Sequence, residues 1–161
     1  MESPLRFLLR WLWLRYRGLI NIVAFALRYL EAQFLRRQTW VVQRIPGHGD
    51  LATANRIAIF VHYDRHGQVA DYVRYYLEQL ATAGYGILFV TNSPKLTTTA
   101  LTELQDRCDL ILRRRNFGYD FGAYRDALRE IPDLGKLESV ILANDSVYGP
   151  IHPLADFLSR S

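Results

Sequence analysis

Two stretches of the chain hold the side chains best suited to chemistry: Asn116-Phe117-Gly118-Tyr119-Asp120-Phe121-Gly122-Ala123-Tyr124-Arg125 and Leu142-Ala143-Asn144-Asp145-Ser146-Val147-Tyr148-Gly149-Pro150. Each sets carboxylates, amides and hydroxyls beside glycines. Such oxygens suit a hard cation and a phosphate-bearing ligand. The glycines allow a close backbone approach or a positive φ, as expected of Gly118 and Gly122.

Several common sites are excluded by pattern. The loop after the first expected strand, His62 to Gly67, has one glycine, so the dinucleotide fingerprint is missing. Neither a phosphate-binding G-x-x-x-x-G-K-[ST] loop nor a G-x-S-x-G nucleophile elbow is present. His62, His66 and His152 lack zinc spacing and cysteine companions. A nucleotide-sugar site remains. Asp64 suits contacts to base and ribose, and equally a turn or helix cap. Asn144, Asp145 and Ser146 suit a diphosphate with Mg²⁺ or Mn²⁺, held by Asp145, and equally a turn closing a strand. Arg113, Arg114 and Arg115 either neutralise a leaving diphosphate or form a solvated loop. Tyr119 either stacks on a sugar or base or packs inside; Phe121 and Tyr124 are expected in the core.

These groups need a scaffold that gathers them. Residues 56–61, 87–90, 110–112 and 140–143 are short apolar runs that read as buried strands. Between them, Val69, Tyr72, Val73, Tyr76, Leu77 and Leu80 recur at helical spacing up to Gly84, and Leu101, Leu104 and Cys108 mark a shorter helix. A third helix is expected from an N-cap at Asp120, through Phe121, Tyr124, Ala127, Leu128 and Ile131, to Pro132. This alternation predicts an α/β domain, a mainly parallel sheet flanked by helices. Its ligands belong beyond the carboxyl ends of the strands. The loops there are 62–67, 91–94, 113–119 and 144–150, which hold nearly all the unusual polar residues.

The chain has 161 residues, half of them apolar, enough for one domain with a core. Cys108 is the only cysteine, so no intrachain disulfide forms. Residues 1–56 carry nine arginines against Glu2, Glu31 and Asp50, a net of +6, while the remainder nets −2. The globular part therefore has no nucleic-acid-binding composition, and no nucleic acid is expected as a partner. Arg6, Arg10, Arg17, Asn21 and Arg28 fall on one stripe of a helix that is apolar elsewhere, Arg15 excepted. The uncharged run Gly18–Leu27 is too short to cross a bilayer, which takes about 20 residues. Residues 1–38 thus read as a basic amphipathic helix whose residues 5–37 lie on an anionic membrane surface or pack on a partner polypeptide or a second copy. Residues 39–56 read as a linker and 57–161 as the globular domain.

Four segments closely resemble the rhamnan synthesis protein F family: Tyr63-Asp64 with Val69 to Leu80; Phe89 to Ser93; Arg115 to Tyr124; and Asn144 to Pro150. The resemblance spans about residues 57–157 and omits the N-terminal helix. It implies a GT-A-like, Rossmann-like nucleotide-sugar-binding domain. The implied reaction is rhamnosyl transfer from a dTDP-activated donor to a lipid-linked glycan, in the synthesis of a rhamnan, O-antigen or other surface polysaccharide. The implied location is peripheral, on the cytoplasmic face of the bacterial membrane. Asn116-x-Gly118 matches the element that opens the helix before the metal-motif strand in such folds. Asn144-Asp145-Ser146 takes the place of the metal motif with one carboxylate instead of two. The donor site is expected to draw on Tyr63, Asp64, Asn92, Arg115, Asn116, Gly118, Tyr119, Asp120, Asn144, Asp145 and Ser146. No catalytic base is identifiable before the chain ends at Ser161. A non-catalytic nucleotide-sugar-binding or scaffold module of a polysaccharide assembly complex is the alternative.

Overall fold

The computed structural model describes Ile20 and residues 22–27, 39–150 and 154. Two compact units divide it, Met1–Thr39 and Trp40–Ser161. In the first, residues 22–27 are helical, with Ile22, Val23, Phe25 and Leu27 exposed. The rest of the expected N-terminal helix lies outside the described residues.

The second unit is a five-stranded sheet flanked by helices. Its strands are β1 (Val41–Pro46), β2 (Arg56–His62), β3 (Gly86–Thr91), β4 (Leu110–Arg114) and β5 (Ser139–Asn144). Its helices are α1 (Asp71–Thr82), α2 (Thr98–Arg107) and α3 (Tyr119–Leu128). The strand order is β1-β4-β3-β2-β5. All neighbouring pairs are parallel except β1–β4.

The central strands read as unbroken apolar runs because both their faces are covered. Ala58, Phe60, Ile87, Phe89 and Ile111 pack with Val73, Leu77, Leu80, Ala100 and Leu104 of α1 and α2. On the other face, Ile57, Ile59, Val61, Leu88, Val90 and Leu112 pack with Ala123 and Ala127 of α3. These two layers are the core, and they fix where each strand's terminal loop emerges.

Two expectations need correction. The segment read as a linker contains β1, which pairs antiparallel with β4 and ends in Pro46. Edge strands tolerate proline and mixed polarity, so Val-Val-Gln-Arg-Ile-Pro carries only a weak strand pattern. Strand β4 also runs two residues further than its apolar run, taking in Arg113 and Arg114. Side chains alternate faces along a strand. Arg114 therefore shares the α3 face with Leu112 and is buried.

Candidate functional site

The chain visits β2, β3 and β4 in one direction across the sheet, then returns to place β5 on the far side of β2. The loops after β2 and β5 consequently part, and the crevice at that switch point is where open α/β sheets hold ligands. It is tied together by the Tyr63 amide, which donates to Asp145 Oδ2 at 2.7 Å. The Asp145 amide donates to the Val61 carbonyl at 3.1 Å, and the Tyr72 hydroxyl to the Asp145 carbonyl at 2.9 Å. Asn144 Nδ2 reaches across to Asp120 Oδ2 at 2.8 Å. Asn144 thus links Asp120, by this bond, to Asp145, its neighbour in the chain.

This concentration of negative charge shows in the neighbouring phenols. Burial, then Asp120, Tyr76 and Asp145, push Tyr124 up to about 12. Burial, then Asp145, raises Tyr72. Both stay protonated at neutral pH. The Asp145 Oδ1 and Asp120 Oδ1 atoms accept no hydrogen bond from the described residues.

Beside this cluster a cavity of about 440 Å³ is lined by Tyr63, Asn92, Ser93, Arg113, Arg115 and Asn116, among others. Tyr63 belongs to both parts: its side chain is half exposed at the cavity and its amide holds Asp145. Tyr63, Asn92, Arg115, Asn116, Asp120, Asn144 and Asp145 are therefore gathered along one edge of the sheet. Gly118 and Tyr119, where α3 begins, join Asn116 to Asp120. Ser146 is exposed in the turn after Asp145.

Other expected members have different work. Asp64 closes its own loop, its Oδ2 accepting from the amides of His66 at 2.8 Å and Gln68 at 2.9 Å. Those amides, that of Gln68 foremost, hold its carboxyl below the usual range. Asp64 thus serves its turn, one of the two roles expected of it. Asp120 is not the N-cap of α3. That position is Gly118 at φ +73°, followed by Tyr119 at φ +47°. A non-glycine residue in the left-handed region is strained by about 1–3 kcal/mol and persists only where its surroundings enforce it. Phe121, expected in the core, is 87% exposed. Tyr119 is exposed as well, whereas Tyr124 packs against the α3-side core.

The arginine triplet divides three ways. Arg115 is exposed at the cavity. Arg113 donates to the Pro94 carbonyl at 3.1 Å and to Gln43 Oε1 at 3.3 Å. Arg114 is fully buried, as is its partner Asp126. Its Nε donates to Asp126 Oδ2 at 3.1 Å, Nη1 to Asn92 Oδ1 at 2.7 Å and Nη2 to the Phe117 carbonyl at 2.7 Å. Nη1 also reaches the Tyr119 carbonyl at 3.5 Å. Arg114 is thus committed to the protein and unavailable to a diphosphate. A Cβ on Gly122 would overlap the Phe117 carbonyl oxygen and crowd Arg114 Nη2. Glycine is required there so that helix and loop can meet.

Asp126, Tyr72 and His62 escaped the sequence reading. Asp126 and Tyr72 sit in helical patterns where nothing marks a polar function. His62 ends β2, 2% exposed, with Nδ1 at 3.2 Å from Thr91 Oγ1. Burial pushes its imidazole down, against the opposing pull of Asp145 and Asp64. The unfolded chain takes up this proton near the ordinary value of about 6.5, while the folded protein resists it. Stability should therefore decline as pH falls below about 6.5. His62→Gln should flatten that part of the curve in urea titrations between roughly pH 7 and 5. An unchanged slope in the variant would assign the loss elsewhere.

The fold is an open α/β domain with a polar cluster where β2 and β5 end and a cavity beside it at the ends of β3 and β4. Residues 87–160 match the family model described as rhamnan synthesis protein F, the family that the sequence motifs resemble. That match begins at β3, leaving Tyr63 and Asp64 outside it. The chain is 36% identical over 85 residues to "Uncharacterized protein y4gN" of Sinorhizobium fredii (strain NBRC 101917 / NGR234), covering 52% of this chain and 22% of that one. It is 31% identical over 98 residues to "Virulence protein VirA" of Vibrio anguillarum, covering 59% and 32%. The chain thus spans between a fifth and a third of the length of these curated relatives. No solved structure gives a significant match.

Proposed function

We propose that this chain is the donor-binding part of a GT-A-like glycosyltransferase of surface polysaccharide synthesis, transferring rhamnose from a dTDP-activated donor to a lipid-linked glycan. The match to the family model supports the setting, rhamnan synthesis. The observation that carries the chemistry is the junction of β2 and β5, where Tyr63 joins a cavity to the Asp120–Asn144–Asp145 cluster. The cavity takes the nucleoside, with Tyr63 as a stacking face and Asn92, Arg115 and Asn116 as polar contacts. The carboxylate cluster lies where the diphosphate would reach.

Among the described residues, no three His, Cys, Asp or Glu side chains gather as a metal cage. Asp145 and Asp120 nevertheless offer oxygen to Mg²⁺ or Mn²⁺, hard cations that take their remaining ligands from phosphate and water. The cation, when bound, neutralises the leaving diphosphate. Asp120 would supply the second carboxylate that the Asn-Asp-Ser sequence lacks.

The test is transfer. The full chain, Mg²⁺ or Mn²⁺, dTDP-rhamnose and a lipid-linked acceptor should yield a lengthened glycan by mass spectrometry. Binding of the donor without product would favour the second reading, a non-catalytic binding or scaffold module. In support of that reading, the Asp64 Oδ2 atom is taken up by the amides of its own loop.

No helix among the described residues is long and apolar enough to cross a membrane. The exposed apolar residues of 22–27, in a segment rich in arginine, support attachment to the cytoplasmic face of the membrane. Deleting residues 1–37 should shift the protein from the membrane to the soluble fraction. Continued sedimentation with membranes would refute that attachment.

A further inference from the structure

We infer that Arg114 is a positioning residue that orients the Asn92 carboxamide and so sets which ring edge the cavity accepts; the ligand part of this inference rests on the donor-binding reading above. A guanidinium has donors only. The Asn92 atom 2.7 Å from Arg114 Nη1 must therefore be Oδ1. The carboxamide cannot be flipped without setting donor against donor in a buried place. Asn92 is only 5% exposed, yet it lines the cavity. Its Nδ2 has no partner among the described residues, and no buried side-chain nitrogen or oxygen is left unsatisfied. Nδ2 accordingly opens onto the cavity and offers it N–H donors alone.

Arg114 is itself held. Asp126 fixes its Nε, and the carbonyls of Phe117 and Tyr119 take up its other side. Those carbonyls flank Gly118, where α3 begins, so the cation that aims Asn92 also secures the left-handed turn at Gly118 and Tyr119. Orientation of the carboxamide and shape of the loop wall are one arrangement. A buried polar group left unpaired by the wrong ligand discriminates far better than apolar packing does. With Asn92 locked, the cavity accepts a ring that presents a carbonyl at this point and rejects one that presents an amine.

Uridine diphosphate and cytidine diphosphate make a matched pair, since they differ only in that ring edge. The full chain should bind the uridine form at least tenfold more tightly by calorimetry. Arg114→Lys keeps a charge for Asp126, but an ammonium cannot span Asp126, Asn92 and Phe117 as the planar fork does. In that variant the preference should fall about tenfold, and relaxation of the Asn92 side-chain ¹⁵N in ligand-free protein should report a newly mobile amide. Asn92→Asp keeps the oxygen that Arg114 holds and turns an acceptor toward the cavity, so the preference should reverse. This second variant decides the matter if Arg114→Lys folds poorly. A preference unaltered by both substitutions, or an Asn92 amide as rigid without Arg114 as with it, would overturn the inference. Failure of the unaltered chain to bind either nucleotide would instead overturn the donor-binding reading, and the ligand-free relaxation measurement would still decide whether Arg114 orients Asn92.

Discussion

Asp126→Ala is expected to destabilise the fold by about 3–5 kcal/mol, the cost of breaking a buried ion pair by removing one partner. Both side chains of the Arg114–Asp126 pair are wholly inaccessible to solvent. Alanine would leave the guanidinium uncompensated in the layer between sheet and α3. It would also strip an acceptor from the Trp40 amide, 3.3 Å away at the start of β1, and from Arg125. Asp126→Asn keeps an oxygen for Arg114 but no charge, and should cost less, about 1–3 kcal/mol. Urea denaturation of the two variants checks both size and order. Equal, small losses would mean that water reaches Arg114 and that the network does not organise the loop.

On the proposed function, Asp145→Asn should reduce turnover about 10²-fold or more, the scale seen when one preorganised electrostatic group is removed. The substitution isolates charge from architecture. The asparagine oxygen can still accept from the Tyr63 amide, and the Tyr72 hydroxyl bonds the backbone carbonyl, which is unchanged. Thermal unfolding should therefore stay near that of the unaltered protein while donor binding with Mg²⁺ weakens. Asp145→Ala adds loss of the Tyr63 contact and should loosen the β2–β5 junction as well. Turnover by Asp145→Asn within a few-fold of the original would remove the carboxylate from the reaction.

Both substitutions act on residues whose importance the sequence disclosed unequally. Asp145 stood out because polar residues at the end of an apolar strand must face the crevice of a parallel sheet. Asp126 did not, because one carboxylate in an exposed-looking helical register is indistinguishable from a solvated one. Asp64 is a related case. Its place after β2 suits a ligand, but a carboxylate two and four residues before free amides satisfies them first. The arginine triplet shows the effect of a boundary. Ending β4 after the apolar run leaves three equivalent loop cations, whereas two more residues of strand send Arg113 and Arg114 to opposite faces.

From the sequence alone came the alternation of strands and helices, the mainly parallel sheet, the end of the strands where the polar residues collect and the resemblance to a family. These follow from periodicity, from glycines and from contiguous motifs, all of which are local. Tertiary structure alone decided that β1 joins the sheet, that Asp120 supports Asn144 and that Arg114 is an internal strut. Each of these depends on pairings between residues distant in the chain, and local pattern carries no trace of which partner a buried polar group will meet.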